Sequence, residues 1–93
     1  MHNINVLEFL KRLYEMQDVV VTNVNKSIGT VEGGNFKTVG NCLDYKENIE
    51  ILYEDESYLT IPKDKIQSIE ANEDYIRLNL KDGSYYLFER NFI

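Results

Sequence analysis

Apolar residues first recur at helical spacing and then alternate with polar ones, and the change comes near residue 17. Val6, Leu7, Phe9, Leu10, Leu13, Tyr14 and Met16 recur three or four positions apart, with Glu8, Lys11, Arg12 and Glu15 on the remaining arc. Asn5-Val6-Leu7-Glu8 has the form of a capping box, in which Asn5 accepts from the first turn and Glu8 reaches back. The spacing predicts a helix over 5–16 whose wide apolar arc packs on a sheet.

Beyond it the pattern predicts strands. Asp18 to Val24 is rich in β-branched residues. Ile28–Val31 and Asn35–Val39 read as a hairpin closed by Gly33-Gly34, which would set Val31 opposite Phe36 and Ile28 opposite Val39. Asn48–Glu54 and Ser57–Ile61 read as another, turning through Asp55-Glu56, with Tyr53 opposite Tyr58 and Leu52 opposite Leu59. Pro62 to Lys65 breaks the ladder and fits one helical turn, after which Ile66 and Ile69 lead a short strand. The best-specified stretch is Tyr75 to Arg90, two alternating runs around Asp82-Gly83. A two-residue turn there sets Leu80 opposite Tyr85, Leu78 opposite Leu87 and Ile76 opposite Glu89. Ile76, Leu78, Leu80, Tyr85 and Leu87 then face the core, and Tyr75, Arg77, Asn79, Lys81, Tyr86, Phe88 and Arg90 face away.

The expected fold is a single mostly β domain over residues 1–93, an N-terminal helix followed by seven or eight short antiparallel strands in sequential hairpins. Such a meander hides its edges by curling into a small, partly open barrel with the helix at one end or side. This order of elements resembles Sm-like and SH3-like small barrels in topology alone.

At 93 residues the chain can bury one modest core. No apolar run approaches the ~20 residues of a membrane span, and residues 1–20 lack the pattern of a secretory signal, so a cytoplasmic protein is expected. Cys42 is the one cysteine and reads as a small buried hydrophobe. His2 is the one histidine and sits at a terminus expected to fray, which leaves no activating partner for a thiol and no zinc ligand set. The glycines at 29, 33, 34 and 40 form no phosphate-binding signature, and the stretch from Asp44 to Glu50 lacks the rhythm of a calcium loop. The expectation is a non-enzymatic protein without cofactor or metal.

Charge changes the picture most. The net charge is −6, and residues 1–43 balance, so the whole excess lies in 44–93. Asp44, Glu47, Glu50, Glu54, Asp55 and Glu56 crowd one stretch against Lys46 alone. An acidic face of this kind suits a basic protein surface, and it can imitate the phosphate charge of a nucleic acid. Small acidic inhibitors of nucleic-acid-handling machines, such as phage anti-restriction and anti-CRISPR proteins, resemble this chain in size and charge. A second reading places single-stranded nucleic acid on Tyr75, Arg77, Lys81, Tyr86, Phe88 and Arg90, by stacking and charge neutralisation. It ranks below the first because a net negative protein repels polyanions. A homo-oligomer built by edge-strand pairing is the third reading.

Overall fold

The computed structural model describes residues 2–91. Helix α1 spans Val6–Met16, and Asn5 caps it by accepting the Glu8 N–H at 2.8 Å. The Glu8 carboxylate does not reach back as a capping box would have it. It accepts from Arg12 Nε, one turn on, at 3.1 Å. Phe9, Leu10 and Leu13 are buried, while Leu7 and Tyr14 stand exposed.

The strands are β1 His2–Asn3, β2 Asp18–Asn25, β3 Thr30–Tyr45, β4 Asn48–Tyr53, β5 Tyr58–Pro62, β6 Ile66–Ala71, β7 Tyr75–Leu80 and β8 Tyr85–Arg90. A 3-10 turn at Lys63–Lys65 follows Pro62, where one helical turn is expected. All ladders are antiparallel in one sheet ordered β1-β6-β7-β8-β2-β3-β4-β5. No ladder among the described residues joins β1 to β5, so the sheet is not closed, and the hairpins are not all in sequence, since β8 pairs with β2 and β1 with β6. His2 pairs with Ala71 at its margin instead of fraying.

Alternate residues of β2, β4, β6 and β7 meet the helix arc in one core. Phe88 and Phe9 meet edge to face there, ring centroids 5.6 Å apart. No helix among the described residues is long and apolar enough to cross a membrane.

Three registers differ from the expected ones. Gly33-Gly34 closes no hairpin. β3 is a single strand of 16 residues whose first half pairs with β2, setting Val24 opposite Val31 and Val20 opposite Phe36. The glycine pair is a bulge facing Thr22, with Gly34 at φ 72°. The turn falls earlier, at 26–29, where Asn25 Oδ1 accepts the Ser27 N–H at 3.0 Å and Ser84 Oγ accepts the Lys26 N–H at 2.8 Å. An Asx turn offered the chain a better reversal than the glycines did.

The other two corrections share one cause. In the last hairpin Leu78 faces Tyr86, Ile76 faces Phe88 and Arg77 faces Leu87. The Leu80 N–H donates to Ser84 O at 2.8 Å and the Gly83 N–H to Leu80 O at 3.1 Å, with Gly83 at φ 88°. The loop is therefore three residues, Lys81-Asp82-Gly83, with the left-handed position last. The β4–β5 loop repeats it. The Tyr53 N–H donates to Ser57 O at 2.9 Å, the Glu56 N–H to Tyr53 O at 3.2 Å, and Glu56 has φ 72°. Leu52 accordingly faces Tyr58, and Ile51 faces Leu59. One residue of slip exchanges the two faces of a strand. Phe88 is fully buried and Tyr86 packs against the core, whereas Tyr85 and Leu87 turn outward.

Candidate protein-binding surface

Strand β3 turns a corner where its register with β4 slips between Val39 and Asn41. Its second half, with β4 and β5, forms a small three-stranded wing. Ile49, Ile51 and Tyr53 of β4 point to the core, so Asn48, Glu50 and Leu52 point out. Across the outer face run three rows: Asn41–Leu52–Tyr58, Leu43–Glu50–Thr60 and Tyr45–Asn48–Pro62. Tyr45, Leu52 and Tyr58 are 53%, 37% and 71% exposed.

The six predicted acidic residues all belong to this wing, but they do not form one patch. Asp44 and Glu47 lie by the β3–β4 turn, Glu54, Asp55 and Glu56 occupy the β4–β5 turn, and Glu50 sits between them. The six residues of β4 separate the ends by about 20 Å. Two of the carboxylates are paired. Asp44 forms an ion pair with Lys63. Asp55 accepts from Lys37 Nζ at 2.7 Å, from the Ser57 hydroxyl, and from the Ser57 N–H at 2.9 Å. The Lys37 bond, followed by the two from Ser57, holds the Asp55 carboxyl well below the usual carboxylate range. Glu47, Glu50, Glu54 and Glu56 have no ion-pair partner among the described residues.

The aromatic-basic set of the last hairpin is divided by its register. Tyr75 and Arg77 face outward, with the Arg77 guanidinium 3.8 Å from the Tyr85 ring centroid and Nε donating to Asn79 Oδ1 at 2.8 Å. Tyr86 and Phe88 face inward, Lys81 lies in the turn, and Arg90 donates to the Glu73 carbonyl at 3.1 Å. These six residues make no common face.

No family model, curated protein or solved structure matches this chain. The side chains must then speak through their chemistry. Cys42 is half-buried, and burial pushes its thiol up to about 11, so the nucleophilic thiolate is scarce at neutral pH. Asp82 is held down by the Ser27 hydroxyl, then by the Ser84 N–H. Asp55 and Asp82 both move away from the neutrality that a general acid or base needs.

The bend in β3 also opens a cleft of about 310 Å³ between its first half and the β4–β5 loop. Glu32, Asn23 and Tyr86 stand side by side across β3, β2 and β8 on one wall. Tyr53, Ser57 and Tyr58 line the other, and Lys37 spans one end. Nothing in the chain's local pattern announces this group. It is brought together by the corner in β3 and the bulge at Gly33-Gly34, neither of which alternation alone specifies.

Proposed function

We propose that the protein is a non-enzymatic protein-binding domain that meets a basic partner with the outer face of the β3–β4–β5 wing. One observation carries this reading: Tyr45, Leu52 and Tyr58 stand in solvent on a single face, with Glu50 in the row between them and Glu47, Glu54 and Glu56 at the turns on either end, none with an ion-pair partner among the described residues. Exposed aromatic and aliphatic groups gathered on one face, with most of the charge at its two ends, have the anatomy of an interface core and rim. The charges complement a basic surface and speed its approach, and the aromatics supply the contact that persists after docking. A polyphosphate imitation by charge alone would want its acids evenly strung, whereas here exposed Tyr45, Leu52 and Tyr58 are interspersed among them. The narrower idea, an inhibitor occupying a groove that otherwise holds nucleic acid, rests on the net charge of −6.

The test compares affinity capture by the wild-type chain, by Leu52→Ser/Tyr58→Ser, and by a variant with Glu47, Glu50, Glu54 and Glu56 changed to Gln. A partner with a basic contact surface that is lost with either variant supports the reading. Capture indifferent to both removes it. Competition by added DNA for the captured partner separates the nucleic-acid-mimicking form from the general one.

A further inference from the structure

The cleft inside the bend of β3 has three features in common with a receptor for a planar cation. The first is an unsatisfied buried group. Tyr53 is 8% exposed, and among the described residues its hydroxyl has no hydrogen-bond partner. A buried hydroxyl left unmatched is costly, and a site that binds a polar group often keeps one in waiting.

The second is charge. Lys37 Nζ is held by Asp55 at 2.7 Å and by Ser57 Oγ at 2.9 Å, so its charge is balanced inside the fold. Glu32 has no such partner among the described residues, which leaves the cleft one net negative charge. Anions are repelled there, and a cation is the guest that Glu32 can pair.

The third is the set of acceptors and rings. Glu32 and the amides of Asn23 and Asn35 offer acceptors along one wall, and the Tyr86 ring lies beside them. Lys37 Nζ lies 5.4 Å from the Tyr53 ring centroid, a cation–π contact already made at the end of the cleft. A guanidinium carries five N–H donors in a plane, stacks on aromatic faces and is weakly hydrated, which suits it better than a compact ammonium. The volume, about 310 Å³, lies at the small end for ligand sites and fits one side chain better than a large cofactor.

We infer that this cleft receives an arginine side chain, presented by the basic partner through an extended segment. Among the described residues the first half of β3 pairs with β2 on one side only, so residues 30–37 offer a strand edge for the segment's backbone. The source of the arginine rests on the proposed function, but the cleft's preference does not.

N-acetyl-L-argininamide, titrated into the ¹⁵N-labelled full chain, tests the cleft without any partner. The expected result is a saturable shift of the amides of Asn23, Glu32, Asn35, Tyr53 and Tyr86 in the millimolar range. Glu32→Gln should weaken it about tenfold, as should replacing the guanidinium with the urea of N-acetyl-L-citrullinamide. Tyr53→Phe, which removes only the hydroxyl, should weaken it roughly threefold. No saturable shift, shifts elsewhere, or equal binding by the citrulline or lysine analogue would overturn the assignment, as would adenosine or N-acetylglucosamine taking the cleft instead. Failure of the wing variants in the capture experiment, with argininamide still bound, would count against the proposed function alone.

Discussion

Asp82 Oδ1 accepts the backbone N–H of Ser84 at 2.8 Å, and that bond belongs to the turn that decides which side of β8 faces the core. Asp55 Oδ1 accepts the Ser57 N–H at 2.9 Å in the same way. Both loops carry Asp, one residue in the left-handed region, then Ser. The carboxylate ties down the N–H two positions on, as Asp does in Asx turns, and favours the three-residue loop over the two-residue one.

Gly83 is the position where this turn tests most cleanly. Its φ of 88° disfavours any L side chain, while an added Cβ would meet nothing closer than Lys26 Cγ at 3.7 Å. Gly83→Ala should therefore cost about 1–2 kcal/mol through the backbone alone. A urea titration with an unmoved midpoint would show that the left-handed conformation is not required.

The register makes opposite demands on two neighbours. Phe88 is fully buried against Phe9, and Phe88→Ala should cost about 3–5 kcal/mol. Half-exposed Leu87 packs outside the core, and Leu87→Ala should cost about 1 kcal/mol. Should Phe88→Ala fail to fold, Phe88→Leu against Leu87→Ala reads the same order. A larger loss at Leu87 would restore the two-residue turn.

What could be read from the chain, and what could not, follows from the range of each cause. The helix was legible because its period and its Asn5 cap lie within twelve residues. The strands were legible as segments, since β-branched and aromatic alternation is local. Their registers were not, because a loop of two or three residues leaves the alternation unchanged while exchanging the faces. Asp-x-Ser was the available signal, and it occurs at 55–57 and 82–84. The acidic residues were visible as a cluster in sequence, yet a strand of extended backbone separates the ends of that cluster in space. The cleft was invisible for the complementary reason. Glu32, Asn23 and Tyr86 come from three strands and are neighbours only in the folded sheet.

Acid should expose the Asp55 network. Its carboxyl, bonded first to Lys37 and then to Ser57, titrates lower in the folded chain than in the unfolded one. The stabilisation is complete above the unfolded value of about 4 and is lost as the pH falls through the folded value. Asp55→Asn should lower the urea midpoint at neutral pH and then lose less than the wild type between about pH 4 and pH 2. Parallel losses in the two proteins would show that Lys37 and Ser57 do not hold this carboxylate in solution.

The wing makes a kinetic prediction, because its charges and its aromatics act at different stages of association. Glu47, Glu50, Glu54 and Glu56 have no ion-pair partner among the described residues and project a field that salt screens, the Debye length falling from about 10 Å at 0.1 M to about 3 Å at 1 M. Changing all four to Gln keeps their shape and leaves the Lys37–Asp55 and Lys63–Asp44 pairs in place, so the fold should be undisturbed. With the captured partner on a biosensor, the association rate should fall at least tenfold at low salt and the wild-type advantage should fade at high salt. Tyr58→Ala should behave in the opposite manner. It removes a ring that is 71% exposed in the free chain, which contributes little to folding, so its effect belongs to the docked state and should raise the dissociation rate. If instead the four-Gln variant dissociates faster while associating normally, the carboxylates are buried at the contact and the aromatic strip is the rim. The core and rim of the proposed interface would then exchange places.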